Sequence, residues 1–257
     1  MTGFISPRGT ALATALCLFS LCAGADEIVR VEHEGFTVVH MSSLPAAGVD
    51  EVVAQVDDAI MQVSGWLAQA EEFQSPLKVE QIRVLIDPDK HTPTQQRTTI
   101  FVPEMRVRNA VAENTLSGGD FGIVHEITHV LAESAYRKDR NRFYDDGLAV
   151  YLQQKFGPLV NYPSFGPDLH VSTAALATEA GDLIALAECD QARRVTDNPV
   201  KRRLAYLQLG SFTQYLVENF GVDDYFAIYS GAPVDEVTGY SIDELERQWR
   251  SLIKSIQ

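Results

Sequence analysis

Two histidines four positions apart with a glutamate between them are the side chains best spaced for chemistry: His125-Glu126-Ile127-Thr128-His129. On a helix such imidazoles stack on one face and can grip a single metal ion. Glu126 lies about 100° round the helix from His125, where it can reach a water on that metal. The chemistry this H-E-x-x-H string points to is zinc-assisted hydrolysis of an amide bond. The same string arises by chance in about one chain of this size in a hundred, leaving two surface histidines on an amphipathic helix as the bland reading.

The flanking residues support a helix. Ser117-Gly118-Gly119-Asp120 is a breaker followed by an N-cap candidate, so a helix is expected to start near Phe121. Ile123, Val124, Ile127, Val130 and Leu131 gather on one side, with His125 and His129 on the other beside Gly122 and Ala132. A hydrolytic zinc site usually has three protein ligands and one open position. Glu133 is one turn beyond His129, but positions 125, 129 and 133 span about 12 Å on a straight helix, too far to converge on one ion. The third ligand must come from another element. Phe143-Tyr144-Asp145-Asp146-Gly147-Leu148-Ala149-Val150-Tyr151-Leu152 runs from an aromatic-acidic turn into a second apolar helix. One aspartate can cap that helix while the other faces the metal, or both can simply favour the helix N-terminus electrostatically.

H-E-I-T-H, an aromatic and then D-D-G-L-A-V-Y-L together resemble the peptidase MA-like domain of the gluzincin zinc metallopeptidases. Those relatives read H-E-x-x-H, then an aromatic near E-G-L-A-x-Y. The stretches 206–221 and 241–249 are similar to later helices of that family, so the resemblance covers roughly 80–256, with only H-E-x-x-H highly specific. It implies a two-lobed zincin-like fold with a cleft between the lobes, Zn2+ as cofactor and a peptide or protein as substrate. By position the family's zinc-binding glutamate falls on Asp146, one methylene shorter, so its helix must approach the zinc more closely. The implied ligands are then His125, His129 and Asp146, with Glu126 as general base. Charge on a tetrahedral oxygen needs a donor besides the metal. Tyr206 is the first candidate from its place in the matching helix, with Tyr215 and His170 behind it. The resemblance also implies an edge strand before the metal helix that pairs with extended substrate, and 98–102 is the candidate.

The elements that must position these groups follow from periodicity. Residues 28–41 alternate as one or two strands, and Val53, Val56, Ile60, Val63 and Leu67 give 50–70 a helical stripe. Strands are expected at 81–87 and 98–103, with a loop or turn over 87–97. From 120 onward the signals are helical: Asn198-Pro199 as N-cap and first position, Gly221 as a stop, Ser241 to Glu244 as a capping box. Ile242, Leu245, Trp249, Leu252 and Ile256 form the expected buried stripe of the last helix. Strands first and helices afterwards give an α+β class. The strand-containing lobe is expected over about 26–132 and the helical lobe over about 133–257 of one catalytic unit.

The first 25 residues read as a signal peptide: Arg8, an apolar run over 11–22 and a small-residue Ala23-Gly24-Ala25 site. The run is short for a bilayer span, and leucine precedes both Cys17 and Cys22 where a lipid-anchored leader wants a small residue. The expectation is an exported protein, periplasmic or secreted, without stable membrane insertion after cleavage. Beyond the leader the only cysteine is Cys189, expected to be half-buried, so neither an intramolecular disulfide nor a cysteine zinc cluster can form. A net charge of −14 repels phosphate backbones, and no basic stripe with interleaved aromatics argues for nucleic acid as a partner. Nothing in the residues speaks to oligomeric state. A different class of function, an exported zinc-binding module without turnover, is the alternative to the peptidase, and the shortened carboxylate at 146 motivates it.

Overall fold

In the computed structural model, residues 26–70, 82–135 and 142–256 are described. The leader, 1–25, lies outside them. The chain is α+β, with a five-stranded mixed sheet interrupted by one helix and followed by the others.

β1 (Ile28–His33) and β2 (Phe36–Met41) pair as an antiparallel hairpin. Its two-residue turn uses Gly35 at φ 89°, a backbone conformation that costs other residues energy. α1 (Ala46–Leu67) then crosses over to β3 (Ile82–Asp87), which pairs parallel to β2. β4 (Thr94–Gln96) and β5 (Thr99–Pro103) complete the order β1-β2-β3-β5-β4, with β5 parallel to β3 and antiparallel to β4.

The expected strands at 81–87 and 98–103 are present as β3 and β5, but the edge assignment is corrected. β5 is hydrogen-bonded on both sides, and the strand at that edge of the sheet is β4, inside the stretch expected to be a loop. Thr94, Gln95 and Gln96 carry no apolar alternation, which is why the strand was not visible in the sequence.

Phe36, Val38, Ile82, Val84, Ile86, Ile100 and Val102 are buried along the sheet. α1 buries Val49, Val52, Val56, Ala59, Val63, Trp66 and Leu67, so Val56, Val63 and Leu67 of the expected stripe are buried while Val53 and Ile60 are only half-buried. Each fully buried aliphatic side chain in this layer contributes roughly 1.5–3 kcal/mol.

α2 (Glu104–Ala112) follows β5 directly, with Pro103 as its N-cap residue. α3 (Ile123–Ala135) carries the H-E-x-x-H string, and α4 (Arg142–Phe156) packs against it. α5 (Leu169–Ala180), α6 (Leu186–Val195), α7 (Pro199–Tyr229), α8 (Val234–Thr238) and α9 (Ile242–Ile256) complete the chain. Asn198 caps α7 as expected, its Oδ1 accepting from the amides of Val200 and Lys201. Gly221 leaves helical geometry at φ 89° and ψ 174°, the stop expected after Phe220, and a second helical stretch resumes beyond it, so α7 is two helices joined at a kink. Ser241 Oγ accepts from Glu244 N at 3.3 Å, one half of the capping box. The α9 stripe is Leu245, Trp249 and Ile253, while Ile242 and Ile256 are exposed at the helix ends. Cys189 is fully buried, a correction to the half-buried expectation.

Candidate metal centre

α3 begins later than the sequence suggested, at Ile123, and Asp120 is not its N-cap. Asp120 Oδ1 accepts from Gly122 N (3.0 Å) and from Gln153 Nε2 (3.2 Å), while Oδ2 accepts from Tyr162 N (2.9 Å). This one carboxylate ties the start of α3 to α4 and to the segment after it. Gly122 sits at φ +74°, and a Cβ there would lie 2.5 Å from Pro93 Cγ. Both the backbone conformation and the contact require glycine, so the approach to β4 is pressed onto the start of α3. Gln95 Nε2 on β4 donates to Glu133 Oε2 at 2.9 Å, fixing the edge strand to the other end of the same helix.

The apolar side of α3 is buried as its spacing predicts, through Ile123, Val124, Ile127, Val130 and Leu131. The histidine side is not open, because α4 packs there and Ala132 is fully buried. Thr128, pressed into this interior, satisfies its hydroxyl by donating to Val124 O at 2.7 Å.

His125 Nε2 and His129 Nε2 face each other at 3.2 Å. Two donors of a tetrahedral zinc with bonds of about 2.0 Å are separated by about 3.3 Å, so this spacing fits a shared cation. Asp146 Oδ1 lies 3.7 Å from His129 Nε2, and the ligand atoms of His125, His129 and Asp146 all fall within 4.8 Å of one another. Asp145 takes the other side of the ring, with its Oδ1 3.2 Å from His129 Nδ1. Tyr229 donates its hydroxyl to that same Oδ1 at 2.9 Å. The two aspartates therefore divide the imidazole between them. Neither is the helix cap foreseen for one of them: α4 starts at Arg142, Asp145 lies in its first turn, where the helix dipole favours negative charge, and Asp146 follows it.

Burial and charge set the protonation of the cluster. Burial, then the neighbouring His129, pushes His125 down to about 3, so it is neutral. Burial also acts to lower His129, but the hydrogen bond and charge of Asp145, with Glu126 and Asp146, outweigh it and raise the group to about 9. Glu126 is raised to about 7, chiefly by burial, opposed by His129 and reinforced by the two aspartates. A carboxyl poised near neutral pH can both accept and return a proton.

A cleft of about 500 Å³ opens beside this cluster, lined by His125, Glu126, Thr94 of the edge strand and Tyr206 of α7, among others. Tyr206 is thus on the cleft wall, its ring 5.6 Å from the Arg193 guanidinium carbon and edge-on to Tyr162. The other two candidates are engaged elsewhere. Tyr215 donates to Gln248 Oε1 at 2.8 Å, and His170 Nδ1 is 2.7 Å from the buried Ser211 Oγ; neither lines the cleft.

No protein-family model, curated protein or solved structure matches this chain.

Three participants were not foreseen. Arg193 pairs with Asp146 Oδ2 and, at 2.8 Å, with Asp190 Oδ1. Tyr229 fixes Asp145, and Gln153 hydrogen-bonds at the His125 and Asp120 side of the cleft. Tyr229 and Arg193 come from helices far along the chain, and nothing local in the sequence marks them. Gln153 is one helical face of the D-D-G-L-A-V-Y-L segment carried two turns on, a spacing that could have flagged it.

Proposed function

We propose that the protein is a zinc-dependent metallopeptidase, with His125, His129 and Asp146 holding the metal and Glu126 as general base. The observation that carries this reading is the pair of imidazole Nε2 atoms 3.2 Å apart with Asp146 Oδ1 beside them and Asp145 on the far nitrogen of His129. A histidine metal ligand characteristically donates its second N–H to a carboxylate, which fixes the tautomer that leaves Nε2 for the ion. Asp145, steadied by Tyr229, has that relation to His129. The donor set, two nitrogens and one carboxylate oxygen without sulfur, is that of a hydrolytic zinc site and not of a closed structural one.

Zinc bound there supplies Lewis-acid polarisation of a carbonyl and lowers the pKa of a water. The remaining work belongs to the chain. Glu126, 6% exposed and lining the cleft, takes the proton of the attacking water on its carboxylate and hands it to the departing amine nitrogen. Tyr206, which lines the same cleft, is the donor to the developing oxyanion. Thr94 of β4 borders the same cleft, and an edge strand offers N–H and C=O groups to an extended peptide of any sequence. The wall formed by the sheet and the wall formed by α6 and α7 correspond to the two lobes of a zincin-like fold. On this reading the leader directs the protein out of the cytoplasm.

A zinc-binding module without turnover is the second reading. Its support is Arg193, whose contact with Asp146 Oδ2 draws electron density from the third ligand. Zinc analysis together with a peptide-library assay separates the two. One zinc per chain with chelator-sensitive cleavage is expected, whereas one zinc with no cleavage of any peptide favours the module.

A further inference from the structure

The cleft beside the metal-centre residues opposes the charge of the chain around it. The chain carries a net −14, yet four arginines, Arg106, Arg193, Arg194 and Arg202, line this one cavity. Two of them are partly neutralised: Arg193 meets Asp146 and Asp190, and Arg194 meets Asp190. The other two are not. Arg106 donates to the main-chain oxygen of Asp120 at 3.1 Å, and Arg202 to that of Thr196 at 2.9 Å. Neither forms an ion pair with a carboxylate among the described residues. The carboxylate of Asp120, also on the cleft wall, is already occupied by Gly122 N, Gln153 Nε2 and Tyr162 N. A concave surface with low-dielectric walls focuses such a field, and guanidinium groups recognise carboxylates through paired, charge-assisted hydrogen bonds.

We propose that this cleft selects peptides that present a carboxylate, with Arg106 and Arg202 as specificity-determining residues. The proposal rests on the peptidase reading for its substrate but not for its binding chemistry. The carboxylate has two possible sources, an acidic side chain or a free peptide C-terminus. Arginine is suited to both, since it stays charged and presents a planar fork of donors.

The test is equilibrium binding to the Glu126→Gln protein, which holds ligand without consuming it. The probes are four dansylated alanine pentapeptides with a central Glu or Gln, each with a free or an amidated C-terminus. The free-carboxylate Glu peptide is expected to bind about tenfold tighter than the amidated Gln peptide, and raising the salt concentration should narrow the gap. The amidated Glu peptide and the free Gln peptide show which carboxylate is recognised. The double substitution Arg106→Gln and Arg202→Gln should shrink the preference to within about twofold. Arg202→Glu, at an exposed position, should reverse it even if the double variant does not fold. Equal binding of all four peptides, no binding of either Glu peptide, or a preference that survives Arg202→Glu overturns the proposal. Carboxylate preference without hydrolysis by the wild-type protein sinks the peptidase reading alone. Hydrolysis of all four with no preference sinks the charge inference alone.

Discussion

At the residue scale the account turns on the unequal work of two adjacent aspartates. Asp146 faces His129 Nε2 and Asp145 faces His129 Nδ1, so replacing them should have different consequences. Asp145→Asn keeps an acceptor oxygen but loses the charge that orients the imidazole, and should weaken zinc binding by about 10–100-fold in calorimetry. Unchanged affinity would remove Asp145 from the site. Glu126→Gln should retain one zinc per chain while peptide hydrolysis falls by about 10²–10⁴-fold. Retained hydrolysis refutes its role as base. The same geometry has a proton signature. Without metal, His129 is raised to about 9 and His125 lowered to about 3, so at neutral pH His129 is protonated and its Nε2–H points at the lone pair of His125. Metal must displace that proton, so apparent affinity should rise with pH up to about 9 and level off above it. Calorimetry in buffers of different ionisation enthalpy should show at least about one proton released per zinc at pH 7, and no release would contradict the assignment. The ligand pair was legible in the sequence because helical spacing alone stacks positions 125 and 129. The choice between the aspartates was not, since it depends on the angle at which α4 meets α3.

At the scale of elements, close approach of helices fixes that angle. Gly147 directly follows Asp146, and a Cβ on it would meet Thr213 Oγ1 and come within 2.9 Å of Leu209 O on α7. Gly210 returns the contact from α7, where a Cβ would strike Val150. Gly147→Ala should therefore cost about 1–3 kcal/mol in denaturant unfolding and loosen zinc binding by shifting the carboxylate. A neutral outcome for both would show that α4 is not held in place by this contact. The helices whose apolar residues recur with clear period were readable, α1 and α9 among them. What periodicity could not supply was phase and partnership: α1 buries Val52 and Ala59 where Val53 and Ile60 were expected, and the helix it packs on most closely, α3, is distant in sequence. β4 was hidden for a related reason. Its Thr94, Gln95 and Gln96 are held by pairing with β5 and by the Gln95–Glu133 hydrogen bond, neither of which leaves a hydrophobic pattern.

At the scale of the whole molecule, burial of ionisable groups away from the centre predicts how the fold responds to alkali. Cys189 is raised to about 12 and Tyr144 to about 12, and Tyr225 stands well above its usual value, each mainly through burial. Their folded pKa values exceed the unfolded ones, so the stability they contribute is intact below about pH 9 and is lost as pH rises from there. Melting temperature should fall steadily above pH 9. Cys189 should also resist thiol reagents until the chain unfolds, whereas rapid labelling of native protein would contradict its burial. The α+β class was legible from strands preceding helices, but the cleft and its arginines were not, because Arg106 and Arg202 are brought to one cavity from α2 and α7. The peptidase reading depends on one ion seated between α3 and α4. X-ray absorption at the zinc edge of protein loaded with one equivalent of metal tests that seat most directly. Two imidazole nitrogens and carboxylate or water oxygen at about 2.0–2.2 Å, with the imidazole signal halved in His129→Ala, is the predicted spectrum. Zinc that washes off, or a shell without imidazole, would contradict it.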